Sequence, residues 1–252
     1  RRMLADSLNR FIAERYGFET RNKIAATSEG YSPEMWNHFA ELGAIGVLLR
    51  EEDGGFGGGG FDIAIVFEAL GRGLVLEPLL ASAVLAGEAI ASAGNESQRG
   101  LLERIADGST IASFAHDEPD THYELARVGM TARREGDAWV LNGVKSVVPQ
   151  GAQAKVFVVS ARTGGDIGDE AGISLFLVPG DAAGLNIVGT PTIDGGHVAE
   201  LDFDNVRLDA DGLLGVEGGG FATLERATGR GILALCAEAL GAMEAAKAAT
   251  LD

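Results

Sequence analysis

The sequence contains few residues of several kinds, and these shortages exclude whole classes of protein. Its 252 residues include a single cysteine, Cys236, so no disulfide can form within the chain. A lone thiol fits a reducing compartment, which predicts a cytoplasmic protein. No apolar stretch approaches the roughly 18 to 20 residues that a membrane-spanning helix needs, so we expect no membrane-spanning segment.

Positively charged side chains are also scarce. Lys and Arg number 20 against 37 Asp and Glu, which gives a formal net charge of −17. Proteins that bind nucleic acids or anionic membranes hold the phosphate groups with a surplus of Lys and Arg. The sequence therefore predicts neither a nucleic acid nor a membrane as a partner. The chain begins and ends inside helical patterns, and we expect residues to be missing at both ends.

The spacing of apolar residues changes twice and predicts three domains. Residues 1–109 repeat at helical spacing, residues 110–217 alternate as strands do, and residues 218–252 return to a helical pattern rich in alanine. Two helix starts carry capping signals: Ser32 before Pro33, and Asn95 with Gln98 three positions later. The apolar residues 79–93 predict a buried helix.

The central segment predicts an antiparallel barrel or sandwich. Asn142-Gly143 separates the strand-like runs Trp139-Val140-Leu141 and Lys145-Ser146-Val147-Val148. Asn-Gly between two strand-like runs is a strong hairpin signal, because both turn residues must accept positive φ. Short turns without intervening helices disfavour a parallel sheet.

Other short motifs resemble ligand sites but lack the usual context. Gly55, Gly57 and Gly60 fit the pattern G-x-G-x-x-G, yet helices flank them where a dinucleotide site needs a preceding strand. We interpret this segment as a flexible loop between helices. Metal-ligating residue types cluster between His116 and Glu124 without the spacing of a known site, so no metal site is predicted. The G-x-S-x-G and H-E-x-x-H motifs are absent from the sequence.

Five motifs follow one another along nearly the whole chain. They are Glu51-Glu52-Asp53-Gly54-Gly55-Phe56-Gly57, Phe114-Ala115-His116-Asp117-Glu118-Pro119, Asn142-Gly143-Val144-Lys145, Gly172-Ile173-Ser174-Leu175-Phe176-Leu177-Val178, and Val206-Arg207 through Leu213-Leu214-Gly215. Together they resemble the acyl-CoA dehydrogenase family, most closely small subunits of the pimeloyl-CoA dehydrogenase type. The resemblance implies an α+β fold: an N-terminal helical domain, a central antiparallel β-barrel domain and the first helix of a truncated C-terminal helical bundle.

The resemblance also implies a reaction. In this family a Glu removes the α-proton of an acyl-CoA thioester while FAD accepts hydride from the β-carbon, which gives a trans-2-enoyl-CoA. The flavin carries the redox step, and the protein positions and polarises the substrate. The implied partners are an acyl-CoA substrate, another acyl-CoA dehydrogenase subunit in a homo- or hetero-oligomer, and an electron-transfer flavoprotein.

Two segments correspond to the flavin-binding motifs of the family. The implied flavin-binding residues are Phe114, Ala115, His116, Asp117, Val147, Val148 and Pro149. Two of them depart from the family pattern. Asp117 stands where the family has a Thr that bonds the flavin, and Pro149 ends the segment that replaces the family's W-I-T. Proline offers neither a hydroxyl nor a backbone N–H.

The implied substrate contacts also depart from the family. Tyr123 replaces a small Ser near the substrate, and Gly229 and Ile232 occupy the positions of an Asp and an Arg that assist acyl-CoA binding. Arg230 lies close enough in sequence to substitute for that Arg. No catalytic base is identifiable in this chain, and the usual base lies in the C-terminal part of the family fold. Basic residues considered for the negative charges of CoA are Arg133, Arg134, Lys145 and Arg162.

Three interpretations follow from this mixture of matches and departures. The chain is an active acyl-CoA dehydrogenase subunit with its own FAD, a degenerate partner in a heteromeric dehydrogenase, or a non-catalytic scaffold that keeps only the fold. The substitutions at Asp117, Tyr123, Pro149, Gly229 and Ile232 favour the degenerate partner.

Overall fold

The computed structural model describes residues 1–251, in which helices precede a β-sheet and one long helix follows it. This order confirms the expected succession of helices, strands and helix. The helices are α1 (Arg2–Arg15), α2 (Phe18–Ala25), α3 (Pro33–Glu41), α4 (Gly60–Gly73), α5 (Gly87–Ala93), α6 (Glu96–Ala106) and α7 (Phe221–Leu251). Within the described range, none of them is long and apolar enough to cross a membrane.

Both predicted capping signals are confirmed in atomic detail. The Ser32 hydroxyl accepts a hydrogen bond from the Met35 N–H at 3.2 Å, and Pro33 begins α3. Before α6, Asn95 and Gln98 each accept a hydrogen bond from the other's backbone N–H through their side chains, both at 3.0 Å. Amide groups that have no partner inside the helix are thereby satisfied.

The buried helix predicted over residues 79–93 is present, with one difference in geometry. Leu80–Ala86 forms π-helical turns that continue directly into α5. The Ser82 hydroxyl in these turns accepts a hydrogen bond from the Ala112 N–H at 3.0 Å. The helix is therefore tied to the first strand of the sheet.

Eight strands form one mixed sheet, and the expectation of a closed antiparallel barrel is wrong. They are β1 (Ala112–Ala115), β2 (Thr131–Glu135), β3 (Ala138–Pro149), β4 (Val156–Arg162), β5 (Ile173–Pro179), β6 (Leu185–Pro191), β7 (His197–Leu208) and β8 (Leu213–Leu214). Neighbours follow the order β6-β7-β3-β2-β4-β5-β8, with β1 beside β4. Strand β4 pairs in parallel with β1 and β2. Turn signals predict only pairs joined by short turns, whereas β1 and β2 meet β4 through longer connections.

The hairpin predicted at Asn142-Gly143 does not form. Strand β3 runs through these residues, and its pairing with β7 shifts there. Gly143 has a φ of +138°, and a Cβ atom on it would lie 2.9 Å from the Met130 Cα atom. The glycine therefore permits a β-bulge and a close approach of two backbones. The two-residue turn is instead Gly136-Asp137, between β2 and β3.

The glycine-rich loop does join two helical segments, but its glycines are required by close packing. It follows a 3₁₀ turn at Glu51–Asp53 and leads into α4. A Cβ atom on Gly55 would lie 2.5 Å from the Gly46 carbonyl oxygen, and one on Gly57 would lie 2.9 Å from Val47 Cγ2. The interpretation as a flexible loop is therefore replaced by one of a tightly packed loop.

Two hydrophobic cores lie on opposite sides of the sheet. The first fills the space between the helices and the sheet and contains Phe39 and Phe67. The second lies on the other face and contains Phe157 and Phe176. Strand β4 is buried along its whole length because alternate residues enter different cores, as Val158 and Phe157 do.

A buried carboxyl group lies between the helices and the end of β3. Glu77 is 6% exposed, and its Oε1 accepts a hydrogen bond from the Ser32 N–H at 3.2 Å. Burial raises the pKa of Glu77, and the neighbouring Tyr16 hydroxyl and Ser32 N–H oppose this rise. No basic side chain among residues 1–251 forms an ion pair with it. The folded protein therefore holds the Glu77 proton more tightly than the unfolded chain does.

We expect Glu77→Gln to reduce the loss of stability as pH rises. Near pH 4 and below, the folded and unfolded states both tend to hold the proton, so the two proteins should differ little. At higher pH the unfolded wild-type chain releases the proton before the folded chain does, which destabilises the wild type and not the amide variant. Urea unfolding between about pH 4 and pH 8 measures the difference. Glu14→Gln, at an exposed position of α1, is the matched control. A difference that stays constant across this range would contradict the explanation.

Candidate functional site

The two segments with predicted flavin-binding residues lie side by side. We call residues 114–117 and 147–149 the paired segments. The Ser146 N–H donates to the Asp117 carbonyl at 2.8 Å, and the Ser113 hydroxyl donates to the Pro149 carbonyl at 2.6 Å. These bonds join the end of β1 to the end of β3. The structure thus places all seven predicted residues in one region.

Lys145 is fully buried and joins three elements at this region. Its ammonium group donates to the His116 carbonyl at 2.9 Å, to Glu118 Oε1 at 2.7 Å and to Ser160 Oγ at 3.0 Å. Burial lowers the pKa of Lys145 to about 8, against the opposing effect of Glu118. The expectation that Lys145 contributes to a surface patch for CoA is wrong, because all its hydrogen-bond partners lie inside the protein.

Glu118 extends this arrangement to the residues that precede β2. Its Oε2 accepts a hydrogen bond from the Gly129 N–H at 2.8 Å, and its Oε1 accepts one from the Met130 N–H at 3.1 Å. A buried ion pair is tolerated when its remaining polar atoms are also bonded, as they are for Glu118 and Lys145. The pair therefore fixes the paired segments relative to β2.

His116 is an electrically neutral side chain within the paired segments. Its Nδ1 lies 2.9 Å from Ser160 Oγ, and the residue is 8% exposed. Burial and, to a smaller extent, the charge of Lys145 together lower the pKa of His116 to about 3. Its ring is tilted by 38° to that of Phe114, with the ring centres 6.2 Å apart.

The Asp117 carboxyl group has no partner among residues 1–251. It is half-buried and forms neither a hydrogen bond nor an ion pair there, although its backbone carbonyl is engaged by Ser146. Burial raises the pKa of Asp117, and Lys145 partly opposes this. The position that carries a hydroxyl in the family thus carries an acid that is harder to ionise than usual.

The second of the paired segments contains a strained residue. Val147 has a φ of +52°, which is unusual for a β-branched side chain, and it lies where the pairing of β3 with β7 shifts. Its side chain is exposed, while its N–H donates to Glu200 Oε1 at 3.3 Å. Val148 is buried in the core of the sheet, and Pro149 provides only its carbonyl.

The predicted substrate residues are not brought together. Tyr123 is 91% exposed and has a φ of +66°, so its ring projects into solvent. Arg230 lies on α7, where its guanidinium group donates to the carbonyls of Gly58 and Leu48 at 2.9 and 3.2 Å and lies 3.1 Å from a carboxylate oxygen of Glu88. These contacts attach α7 to the N-terminal helices.

The four basic residues considered for CoA binding divide into two pairs. Arg133 and Arg134 are exposed on β2, as a surface patch requires. Lys145 and Arg162 are buried, and Arg162 donates only to backbone carbonyls. Ser160, which contacts Lys145, was not predicted as a site residue, because a serine in an apolar strand has no distinctive sequence signal.

A cavity of about 720 Å³ lies elsewhere, beside α1 and the glycine-rich loop. Its lining includes Met3, Leu42 and Phe56, and none of the predicted site residues. Within residues 1–251, no three His, Cys, Asp or Glu side chains are grouped so that they could hold a metal ion.

Comparisons with known proteins agree on one family. The family model "Acyl-CoA dehydrogenase, N-terminal domain" matches residues 1–109, and "Acyl-CoA dehydrogenase, middle domain" matches residues 113–206. The (2S)-methylsuccinyl-CoA dehydrogenase of Cereibacter sphaeroides is 30% identical over 260 residues, which cover 95% of this chain and 46% of that protein. The chain therefore spans about half the length of this relative.

Solved structures have the same fold. The "Tcur3481-Tcur3483 steroid ACAD G363A variant" has a TM-score of 0.84 at 31% identity, covering 97% of this chain and 63% of that one. A glutaryl-CoA dehydrogenase from Mycobacterium smegmatis in complex with FADH2 has a TM-score of 0.83 at 27% identity, covering 95% and 61%. The ChsE4-ChsE5 complex from Mycobacterium tuberculosis has a TM-score of 0.81 at 25% identity, covering 97% and 63%. The two family models, the relative and the shared fold lead to one conclusion: the chain belongs to the acyl-CoA dehydrogenase family.

Proposed function

We propose that this chain is the degenerate subunit of a heteromeric, FAD-dependent acyl-CoA dehydrogenase, of the same kind as the small subunit of pimeloyl-CoA dehydrogenase. It forms one wall of a flavin site, while the partner subunit supplies the catalytic base and the main substrate contacts. Bound FAD would accept the hydride removed from the acyl-CoA, and an electron-transfer flavoprotein would then reoxidise it. The proposed location of this complex is the cytoplasm.

One observation carries the proposal: the paired segments keep an ordered framework but have lost two donors. Lys145 and Glu118 bind the ends of β1, β2 and β3 together through buried hydrogen bonds. On that framework, position 117 has an acid and position 149 a proline where the family offers donors to the flavin. An ordered site that lacks two of its flavin donors is expected when a second subunit supplies the remaining contacts to the flavin.

The solved neighbours support a heteromeric assembly. One is named for two components, Tcur3481-Tcur3483, and another is a complex of ChsE4 with ChsE5. Both cover nearly all of this chain. Another neighbour contains FADH2, which supports a flavin as the cofactor of the proposed complex.

The residues present fit one side of a flavin ring. Phe114 and Ala115 are buried in the cores on the two faces of the sheet, so they support the neutral ring of His116 from inside the protein. Val147 projects from the second of the paired segments and remains exposed. Asp117 is the least favourable member, because an ionised carboxylate would face the electron-rich acceptor atoms of the flavin. The raised pKa of Asp117 reduces that conflict.

The proposal predicts that flavin binding depends on the partner. The chain purified alone should hold little flavin, and co-expression with a second acyl-CoA dehydrogenase subunit should produce a complex with bound flavin. The visible absorbance of oxidised flavin, measured per mole of this chain, distinguishes the two preparations. A stoichiometric flavin spectrum from the isolated chain would reject the partner role in favour of an active homomeric subunit. No flavin in either preparation would support a non-catalytic scaffold.

A further inference from the structure

The buried contacts around Ser160 define the direction of two hydrogen bonds. A protonated lysine can only donate, so the Ser160 Oγ accepts from Lys145 at 3.0 Å. The Ser160 hydroxyl still has its own hydrogen to donate. Apart from Lys145, its only hydrogen-bonding neighbour among residues 1–251 is His116 Nδ1, at 2.9 Å. The hydroxyl therefore donates to Nδ1.

This direction determines which nitrogen of His116 carries the proton. A neutral imidazole has one donor nitrogen and one acceptor nitrogen. The imidazole of His116 is neutral because its burial and the adjacent Lys145 oppose a second proton. With Nδ1 as the acceptor, the ring proton must be on Nε2. Within the described range, Nε2 has no hydrogen-bond partner, and it is not fully buried although the residue is only 8% exposed, so its N–H can meet a ligand at the surface.

We propose that His116 is a flavin-binding donor, which presents its Nε2–H to an acceptor atom of the flavin ring and takes over part of the role of the missing donors. This inference rests on the proposed function, since it assumes a flavin at the paired segments. Lys145 and Ser160 act as positioning residues, because they set the direction of the hydrogen bonds that end at His116.

Other groups in the paired segments are less suited to this task. Pro149 has no N–H, and the backbone N–H groups of Ser146 and Val147 already donate to Asp117 and Glu200. The Asp117 carboxyl group acts only as an acceptor once it is ionised. The His116 side chain therefore keeps its N–H donor at any pH near neutrality.

The tautomer can be measured on the isolated chain without flavin. In a 15N-labelled sample, long-range 1H–15N correlations separate a protonated ring nitrogen from an unprotonated one. We expect Nε2 of His116 to have the shift of a protonated nitrogen and Nδ1 that of an unprotonated one. In Ser160→Ala the donor to Nδ1 is lost, and the two tautomers should become mixed. A proton on Nδ1 in the wild-type chain would overturn the inference.

The donor role is tested on the co-expressed complex with three substitutions of one residue. In His116→Gln the amide nitrogen can reach the place of Nε2, whereas in His116→Asn it lies nearer that of Nδ1, and His116→Phe has no donor. We expect FAD affinity, measured by fluorescence titration of the apoprotein, to be kept within about threefold in the Gln variant. It should fall about tenfold in the Asn and Phe variants, as the loss of one hydrogen bond predicts.

The outcomes separate this inference from the proposed function. If the complex binds FAD and the Phe variant binds it as tightly as the wild type, the donor role of His116 is wrong while the proposed function stands. If the wild-type complex binds no FAD, both are wrong. If the Gln and Phe variants lose affinity equally, side-chain volume or shape decides binding and the donor role is rejected.

Discussion

Replacement of Gly241 by alanine should force helix α7 away from α4 and lower the free energy of unfolding by about 3 kcal/mol or more. A Cβ atom on Gly241 would lie 2.8 Å from the Glu68 carbonyl carbon and closer still to its oxygen. The contact is reciprocal, since a Cβ atom on Gly71 would lie 2.7 Å from the Glu238 carbonyl carbon. Both obstacles are backbone atoms of α4 or α7, so no side chain can move aside.

A second glycine on the same helix provides the matched control. Gly229 is exposed on α7, and a Cβ atom there would meet nothing within 4 Å. Gly229→Ala should stabilise the protein by about 0.5 to 1 kcal/mol, because alanine loses less conformational freedom in a helix. Urea unfolding and amide hydrogen exchange along α7 measure both variants. Similar effects of the two substitutions would show that the α4–α7 crossing does not depend on glycine.

The helical part of the fold could be predicted because its signals are local. Ser32 and Asn95 lie within three residues of the amide groups that they cap, so sequence spacing alone identifies the helix starts. The same spacing cannot reveal the π-helical turns at Leu80–Ala86, which depend on packing against neighbouring elements. It also cannot reveal that Gly241 lies against Glu68, 173 positions earlier in the chain.

The sheet was less predictable because a sequence signal such as Asn-Gly is compatible with more than one structure. Asn-Gly favours positive φ, and a β-bulge uses that property of Gly143 as well as a hairpin does. The parallel pairing of β1 with β4 brings together residues more than 40 positions apart, such as Phe114 and Val158. No local turn signal encodes such a contact.

The candidate site, like the fold, could be predicted only in part. Motif resemblance located the paired segments, and the structure places them side by side. Resemblance could not establish that Lys145 is buried, since a lysine in a strand ordinarily faces solvent. The contact of Ser160 with His116 joins β4 to the end of β1, and it becomes evident only when the strand order is known.

Arg162→Met should destabilise the protein by about 3 kcal/mol or more, because it removes the support of an otherwise irregular region. The guanidinium group is buried at the end of β4 and bonds six backbone carbonyls at 2.9 to 3.2 Å. These carbonyls belong to Ala126, Val128, Gly164, Ile167, Asp169 and Ala171. Methionine would fill much of the space and leave carbonyls without a donor, which is costly where water cannot replace it.

Two further variants separate charge from geometry at this position. Arg162→Lys keeps the charge but has three donors in place of a five-donor fork, so we expect it to recover less than half of the lost stability. Arg133→Met, at an exposed position of β2, should change stability by no more than about 0.5 kcal/mol. Urea unfolding gives the free energies, and limited proteolysis should cut the Arg162 variants first within residues 163–171. Full stability of Arg162→Lys would mean that the charge suffices, and that the many-carbonyl geometry contributes little.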